Sequence, residues 1–229
     1  MNIQDKIIVI TGGSAGFGKA LAQAFKKEGG IVVIVSDNKE SLEQTAQELL
    51  VDWYVADVTS DDALKSVAVK IIEKYGLIDV WINNAGIQIA PSLVEDVQKD
   101  KLEKLMGINF FGYFYGCQAV LPHMKKQGTG TIININSTAG LAGKPGISAY
   151  VSSKFAVKGL TESLREELKD TLISVYGIFP GGMQTEIYKE KYPADFNEYM
   201  SVEYAIEKVM ENFRMPKPEL DLIIRRPSK

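Results

Sequence analysis

Lys6-Ile7-Ile8-Val9-Ile10-Thr11-Gly12-Gly13-Ser14-Ala15-Gly16-Phe17-Gly18 is the stretch whose reading decides the fold. Four β-branched residues in a row, Ile7 to Ile10, predict a strand over Lys6–Ile10. The glycines that follow permit a tight turn and let an anion approach the backbone. Beyond the turn, Ala20, Leu21, Ala24 and Phe25 recur at helical spacing, and Gly29-Gly30 closes that helix. A strand, a glycine turn and a helix in that order leave free N–H groups at a helix N-terminus, which is the physical basis of a pyrophosphate site. The residues at this turn that would face such a ligand are Gly12, Ser14, Gly16, Phe17 and Gly18.

The same alternation continues outward from the turn. Strands are predicted over Ile31–Val35, Val51–Val55, Asp79–Ile82, Thr131–Ile135, Leu172–Phe179 and Leu220–Ile224. Helices are predicted over Ser41–Leu50, Asp61–Tyr75, Ala149–Lys169 and Val202–Phe213, with a polar helical piece near Val97–Lys104. Continuous apolar strands such as Ile31–Val35 are buried on both faces, which implies a parallel sheet covered by helices on each side. Right-handed crossovers make this an α/β fold: one doubly wound, seven-stranded parallel sheet of the Rossmann type, with its ligand crevice at the carboxyl ends of the strands. With no linker or repeat, residues 1–229 are expected to form a single domain with a short substrate lid near 183–200. The glycine spacing at 12, 16 and 18 is G-x-x-x-G-x-G rather than the G-x-G-x-x-G of the commoner dinucleotide turn.

Composition narrows the function. The chain has 229 residues, a net charge of −3 and 45% hydrophobic residues. A net-acidic chain without basic clusters argues against a nucleic-acid partner. One cysteine, Cys117, and one histidine, His123, leave too few ligands for a zinc site or a Cys/His nucleophile, so no metal is expected. The apolar run Ile7 to Ile10 is too short for a signal peptide, which makes a soluble cytoplasmic protein the expectation. Met106 to Met124 carries no Asp, Glu, Lys or Arg and approaches the length of a membrane span. It also carries Asn109, Gln118, Pro122, His123 and three glycines, so a helix buried against the sheet and a partner subunit is the better reading and no membrane partner is expected.

Specific side chains then point to chemistry. Asp37 ends the second strand, where a carboxylate can accept both ribose hydroxyls of NAD and repel the 2′-phosphate of NADP. This favours NAD and leaves NADP open; the competing reading is a plain cap for the helix beginning near Glu40. Asp57 follows the third strand and is read either as an adenine contact or as an ordinary turn aspartate before Thr59. Tyr150 and Lys154 lie four apart on one helix face, and Ser137 ends the strand before them. A free tyrosine titrates near 10, and a neighbouring ammonium and a positive nicotinamide are together expected to pull that value down. Tyr150 would then exchange a proton with an alcohol or alkoxide as hydride moves, and Ser137 would hydrogen-bond the oxygen where charge develops. A second Tyr-x-x-x-Lys, Tyr204 and Lys208, has no such serine and is read as a helix-surface pair. Cys117 is read as a buried small residue, and the aromatic cluster Phe110, Phe111, Tyr113, Phe114, Tyr115 as core or interface.

With these residues in hand, the sequence resembles the short-chain dehydrogenase/reductase family over nearly its whole length. Thr11-x3-Gly16-x-Gly18, Asn83-Asn84-Ala85-Gly86, the ordered set Asn109, Ser137, Tyr150, Lys154, and Pro180-Gly181 followed by Thr185 are similar to its motifs. The resemblance implies an NAD(P)-dependent oxidoreductase acting on a small alcohol or carbonyl substrate, assembled as a homodimer or homotetramer. It implies that Asp57, Val58, Asn84, Ala85, Gly86, Pro180 and Gly181 line the cofactor and that Thr185 bonds the carboxamide. Lys154 would hold the nicotinamide ribose and lower the Tyr150 pKa, and Asn109 would hold a relay water. Two departures stand out: an abbreviated, aromatic lid, and an acidic residue at the second position of Ser36-Asp37. A binding protein that holds a dinucleotide without turnover is the alternative reading.

Overall fold

The computed structural model describes residues 2–227, so the expected domain of 1–229 reaches past it at both ends. Seven strands form one sheet: β1 (Ile7–Thr11), β2 (Ile31–Ser36), β3 (Asp52–Val55), β4 (Val80–Asn83), β5 (Thr129–Ile135), β6 (Leu172–Pro180) and β7 (Asp221–Ile224). Their order is β3-β2-β1-β4-β5-β6-β7, and every pairing is parallel. The helices are α1 (Gly16–Lys27), α2 (Lys39–Leu49), α3 (Asp61–Tyr75), α4 (Lys99–Met106), α5 (Gly112–Gln127), α6 (Ser148–Leu168) and α7 (Val202–Arg214).

The twofold side-chain period of a strand sorts the core into two layers. Ile8 and Ile10 of β1 pack with Leu21 and Phe25 of α1, Leu42 of α2 and Phe213 of α7. Ile7 and Val9 point the other way, against Leu64 and Ile71 of α3, Val120 of α5 and Leu164 of α6. The sheet is therefore the middle of three layers. The chain leaves β1 toward one face and β4 toward the other, so the carboxyl ends of these adjacent strands diverge and open a crevice.

The expected strands are all present, with ends moved by one or two residues. β1 runs on to Thr11 because that residue pairs with Val35, and β5 starts at Thr129, directly after a left-handed Gly128, because Thr129 pairs with Leu172. The charge-free segment is not one uniform helix. It begins with a π-helical turn, Gly107–Phe111, and then continues as α5, which keeps Pro122 in its interior. Seven of the sixteen α5 residues are buried, where the helix packs against α3, β4 and β5, and among the described residues no helix is long and apolar enough to cross a membrane. Phe111 and Phe114, in contrast, remain 46% and 39% exposed.

Gly116 sets how closely α5 approaches β4. A Cβ there would fall 2.1 Å from Asn83 Oδ1 and 2.7 Å from Trp81 Nε1. Those two atoms already bond each other at 2.8 Å, and Asn83 Nδ2 reaches Asn134 Oδ1 at 2.9 Å, so neither can move cheaply. Alanine gains up to about 1 kcal/mol of helix propensity, but overpacking a filled core costs about 1–3 kcal/mol. Gly116→Ala is expected to lower the thermal midpoint by about 2–6 °C in a melting experiment.

Candidate active site

The glycine turn fits an anion on structural grounds. Gly12 is left-handed at φ +63°, and a Cβ on it would press to 2.8 Å from Ala85 Cα. A Cβ on Gly18 would fall 2.1 Å from the Gly12 carbonyl, which keeps this position a glycine for packing alone. Gly16 is different: at φ +50° its missing side chain leaves open space, with only Thr185 nearby at 3.8 Å. Ala15 caps α1 without any side-chain hydrogen bond, and the first turn carries no acidic residue. The N-terminal amides and the positive end of the helix dipole are thus left for an external acceptor. Asn84 fastens the two sides of the crevice, its Nδ2 donating to the carbonyls of Thr11 (2.9 Å) and Gly12 (3.2 Å). Thr11 Oγ1 in turn accepts from the amides of Asn84 and Ala85.

Hydroxyl groups extend this frame to the end of β2. Ser41 donates to Ser14, Ser14 to Ser36, and Ser36 to Asp37, at 3.2, 3.2 and 3.4 Å. Asp37 is exposed and caps no helix; Asn38 does that, accepting from the Ser41 amide at 3.0 Å. Asp57 Oδ1 accepts from the amide and hydroxyl of Thr59, both at 2.8 Å, so the turn reading of this residue is realised. Val58 is buried and packs against Gly112. These residues bring the uncapped α1 N-terminus and the exposed Asp37 carboxylate, which accepts from Ser36, to the carboxyl ends of β1 and β2.

Tyr150, Lys154, Ser137 and Asn109 gather deeper in the crevice, at the ends of β4 and β5. Tyr150 and Lys154 are 9% and 3% exposed. Lys154 Nζ donates to the Ile135 carbonyl at 3.0 Å and lies 5.8 Å from the Tyr150 ring centre. Ser137 sits beside Tyr150 and caps the following turn, its Oγ accepting from the Ala139 amide at 3.1 Å. Asn109 is fully buried in the π-helical turn. Its Nδ2 donates to the Ile87 carbonyl and to Ser153 Oγ, and its Oδ1 accepts from the Ile87 amide. One side-chain donor and the acceptor hold the loop after β4, and the second donor ties the turn to Ser153 of α6.

In the protein by itself, burial dominates at the phenol. It pushes Tyr150 up to about 12, against a smaller pull down from Ser137, and it pushes Lys154 down to about 7. Lys154 shares its protons with Ile135 rather than with Tyr150, and desolvation outweighs the Coulomb help expected from the sequence.

The loops above these residues close over them. A narrow pocket of about 10 Å³ is lined by Ile89, Ala90, Val97, Ile147 and Ala149 beside Tyr150, with no charged side chain. Glu190 of the 183–200 segment accepts from the Ala90 amide at 3.0 Å and lies 3.8 Å from Lys101, tying that segment across the crevice. Tyr188, Tyr192, Phe196 and Tyr199 pack ring on ring at 4.8–5.9 Å, and Arg226 sits 4.4 Å over Tyr199. Glu190 and Tyr113 are the residues that sequence reading passed over here. Tyr113, four residues past Asn109, had helical spacing as its only signal. Pro180 and Gly181 end β6 at the crevice floor, and Thr185 follows them above Gly16. Tyr204 and Lys208 lie on α7, where Lys208 pairs with Glu211, as expected of a surface pair. Cys117 is buried, and its thiol is pushed up to about 12.

Comparison with known proteins gives the class. The short chain dehydrogenase pattern matches residues 6–196. The 3-oxoacyl-[acyl-carrier-protein] reductase FabG of Thermotoga maritima is 37% identical over 203 residues, which cover 86% of this chain and 82% of that protein. The 3beta-hydroxysteroid dehydrogenase of Mediterraneibacter gnavus is 34% identical over 204 residues, covering 86% and 72%. The solved 3-ketoacyl-(acyl-carrier-protein) reductase from Brucella melitensis, complexed with NADH, superimposes with a TM-score of 0.90 at 25% identity over 97% of each chain. The chain belongs to the short chain dehydrogenase family. It is an oxidoreductase that interconverts CH–OH and carbonyl groups by hydride transfer.

The buried ammonium has a measurable consequence for the fold. Between pH 7 and 10.5 the unfolded chain holds a proton on Lys154 that the folded chain does not, so stability rises with pH through that window. The burden is fully present at and below neutral pH. Lys154→Met is expected to raise the thermal midpoint near pH 7, with the gain shrinking as pH approaches 10; melting curves of both proteins across that range check it.

Proposed function

We propose that Tyr150 is the general acid–base group of this oxidoreductase, with Ser137 holding the substrate oxygen and Lys154 holding the ribose of a nicotinamide dinucleotide. The observation that carries this reading is the burial of Tyr150 and Lys154 around one crevice, with half-buried Ser137 beside them, next to an uncapped helix N-terminus. The nicotinamide ring supplies or takes the hydride. In reduction, Tyr150 donates its phenolic proton to the nascent alkoxide, and a phenol that titrates at about 12 is fully protonated at neutral pH. Ser137 sits beside Tyr150 and lowers its pKa, which supports both groups acting on one oxygen. In oxidation the same phenol accepts the hydroxyl proton, which requires added positive charge beside it to lower its pKa.

The crevice supports a division of labour for the cofactor. Gly12, Ser14, Gly16, Phe17 and Gly18 receive the pyrophosphate; Asp37 takes the adenosine ribose; Asp57 and Val58 border the adenine; Asn84, Ala85, Gly86, Pro180, Gly181 and Thr185 surround the nicotinamide end. The exposed carboxylate of Asp37 favours NAD over NADP. Relatives differ here: the Brucella melitensis reductase is complexed with NADH, while an alcohol dehydrogenase from Thermococcus sibiricus, similar in fold at a TM-score of 0.88, is complexed with 5-hydroxy-NADP. The uncharged pocket beside Tyr150 supports a small neutral carbonyl or secondary alcohol, covered by the lid of 183–200. Exposed Phe111, Phe114 and Phe155 support a homodimer or homotetramer through the faces of α5 and α6, and a cytoplasmic location belongs to the same proposal.

Two measurements test it. Tyr150→Phe is expected to lower turnover of a carbonyl panel by at least about 10²-fold while leaving NADH affinity within a few-fold; equal turnover by both proteins would remove Tyr150 from the mechanism. NADH is expected to bind more tightly than NADPH in a direct titration, and Asp37→Ala to narrow the difference; tighter NADPH binding by the wild-type protein would overturn the role of Asp37.

A further inference from the structure

Tyr113 is a buried phenol that the mechanism above leaves unused. It stands on the first turn of α5, four residues past Asn109, and is 1% exposed. Its O–H donates to the Ile135 carbonyl at 2.7 Å, the same carbonyl that accepts from Lys154 Nζ. Its oxygen lies 3.5 Å from that Nζ and accepts from it. The ammonium is also 5.0 Å from the Tyr113 ring centre, nearer than the 5.8 Å to Tyr150.

The arrangement is directional. A phenol has one proton, and here the proton is committed to Ile135. Its lone pairs are therefore turned to the ammonium, as a buried cation requires. Two of the three Lys154 donors are then engaged from behind, by Ile135 and Tyr113, and the third is left for the crevice. Packing fixes the donor's position as well. A Cβ on the preceding Gly112 would approach within 2.9 Å of Val58 Cγ2, so α5 is seated too tightly to carry Tyr113 away.

We propose that Tyr113 is a positioning residue for Lys154, holding the ammonium charged and aimed at the crevice through its oxygen and its ring face. This rests on the role of Lys154 proposed above. The titratable groups facing the ammonium are Tyr113 from α5 and Tyr150 from its own helix. β5 contributes the Ile135 carbonyl. Burial alone drives Lys154 down, with no carboxylate to oppose it. Loss of the Tyr113 oxygen therefore removes support from the charged form, and the charge is lost at a lower pH.

The test is the pH dependence of NADH affinity for the full chain, with NADPH in its place if that binds more tightly. Wild-type affinity is expected to fall as pH rises through the Lys154 titration. Tyr113→Phe, which keeps the ring and the core volume, is expected to move that fall toward acid by roughly one pH unit. Tyr113→Leu, which also loses the ring face, is expected to move it further. Thermal melts separate the proposed role from simple packing: a variant with a changed midpoint and an unmoved pH profile overturns the proposal, as does coincidence of the Phe and wild-type profiles. Lys154→Met is the control for the underlying reading. If it keeps the wild-type pH dependence, the role of Lys154 itself fails; if it abolishes that dependence while Tyr113→Phe shifts nothing, only the role of Tyr113 fails.

Discussion

An ammonium group buried without a carboxylate is the constraint on which the rest of this structure turns. Lys154 sits inside the protein against a carbonyl and two aromatic rings, and its charge is opposed by desolvation rather than balanced by an ion pair. Such an arrangement is unfavourable to folding by itself. It persists because the surroundings over-determine it. Ile135 lies on a central strand of a seven-stranded sheet, α6 carries Lys154 through the middle of 21 helical residues, and α5 is locked to β4 and Val58 by its glycines. The rigid parts of the fold hold a group that no local preference would place there.

The sheet makes this possible through its topology. Parallel strands deliver their carboxyl ends to one edge, so segments distant in sequence meet there. The glycine turn after β1, the Asn84 loop after β4, Ser137 after β5 and Pro180 after β6 all arrive at the same crevice. Backbone hydrogen bonds from side chains then stitch the loops together: Asn84 to Thr11 and Gly12, Asn109 to Ile87, Glu190 to Ala90. Each bond crosses between segments that the strands alone would leave independent.

Most of the framework was legible because its signals are periodic and local. β-branched runs and glycine punctuation located every strand within two residues, and Tyr150 with Lys154 could be read from helical spacing and a preceding serine. What escaped depends on three-dimensional balance. Val58 and Gly112 touch only after the chain has folded, and the π-helical turn at Gly107–Phe111 has no sequence period of its own. Tyr113 read as one aromatic among five, since nothing local separates a phenol that meets an ammonium from the partly exposed rings beside it. The size of the burial effect on Tyr150 escaped for the same reason. Sequence shows that a positive charge is near, whereas the cost of desolvating the phenol is a property of the whole crevice.

Burial also bears on the chemistry proposed for the site. At neutral pH a phenol pushed up to about 12 holds its proton, and a lysine pushed down to about 7 is only partly charged. This protein alone therefore rests in the form that donates a proton. Converting Tyr150 to the form that accepts one needs positive charge brought close to it, and the crevice supplies little beyond Lys154. The oxidised nicotinamide carries such a charge and the reduced ring does not. Matching of the proton state to the redox state then follows from burial: the same desolvation that keeps Tyr150 protonated makes it responsive to a single added charge, because Coulomb interactions act more strongly where water is excluded.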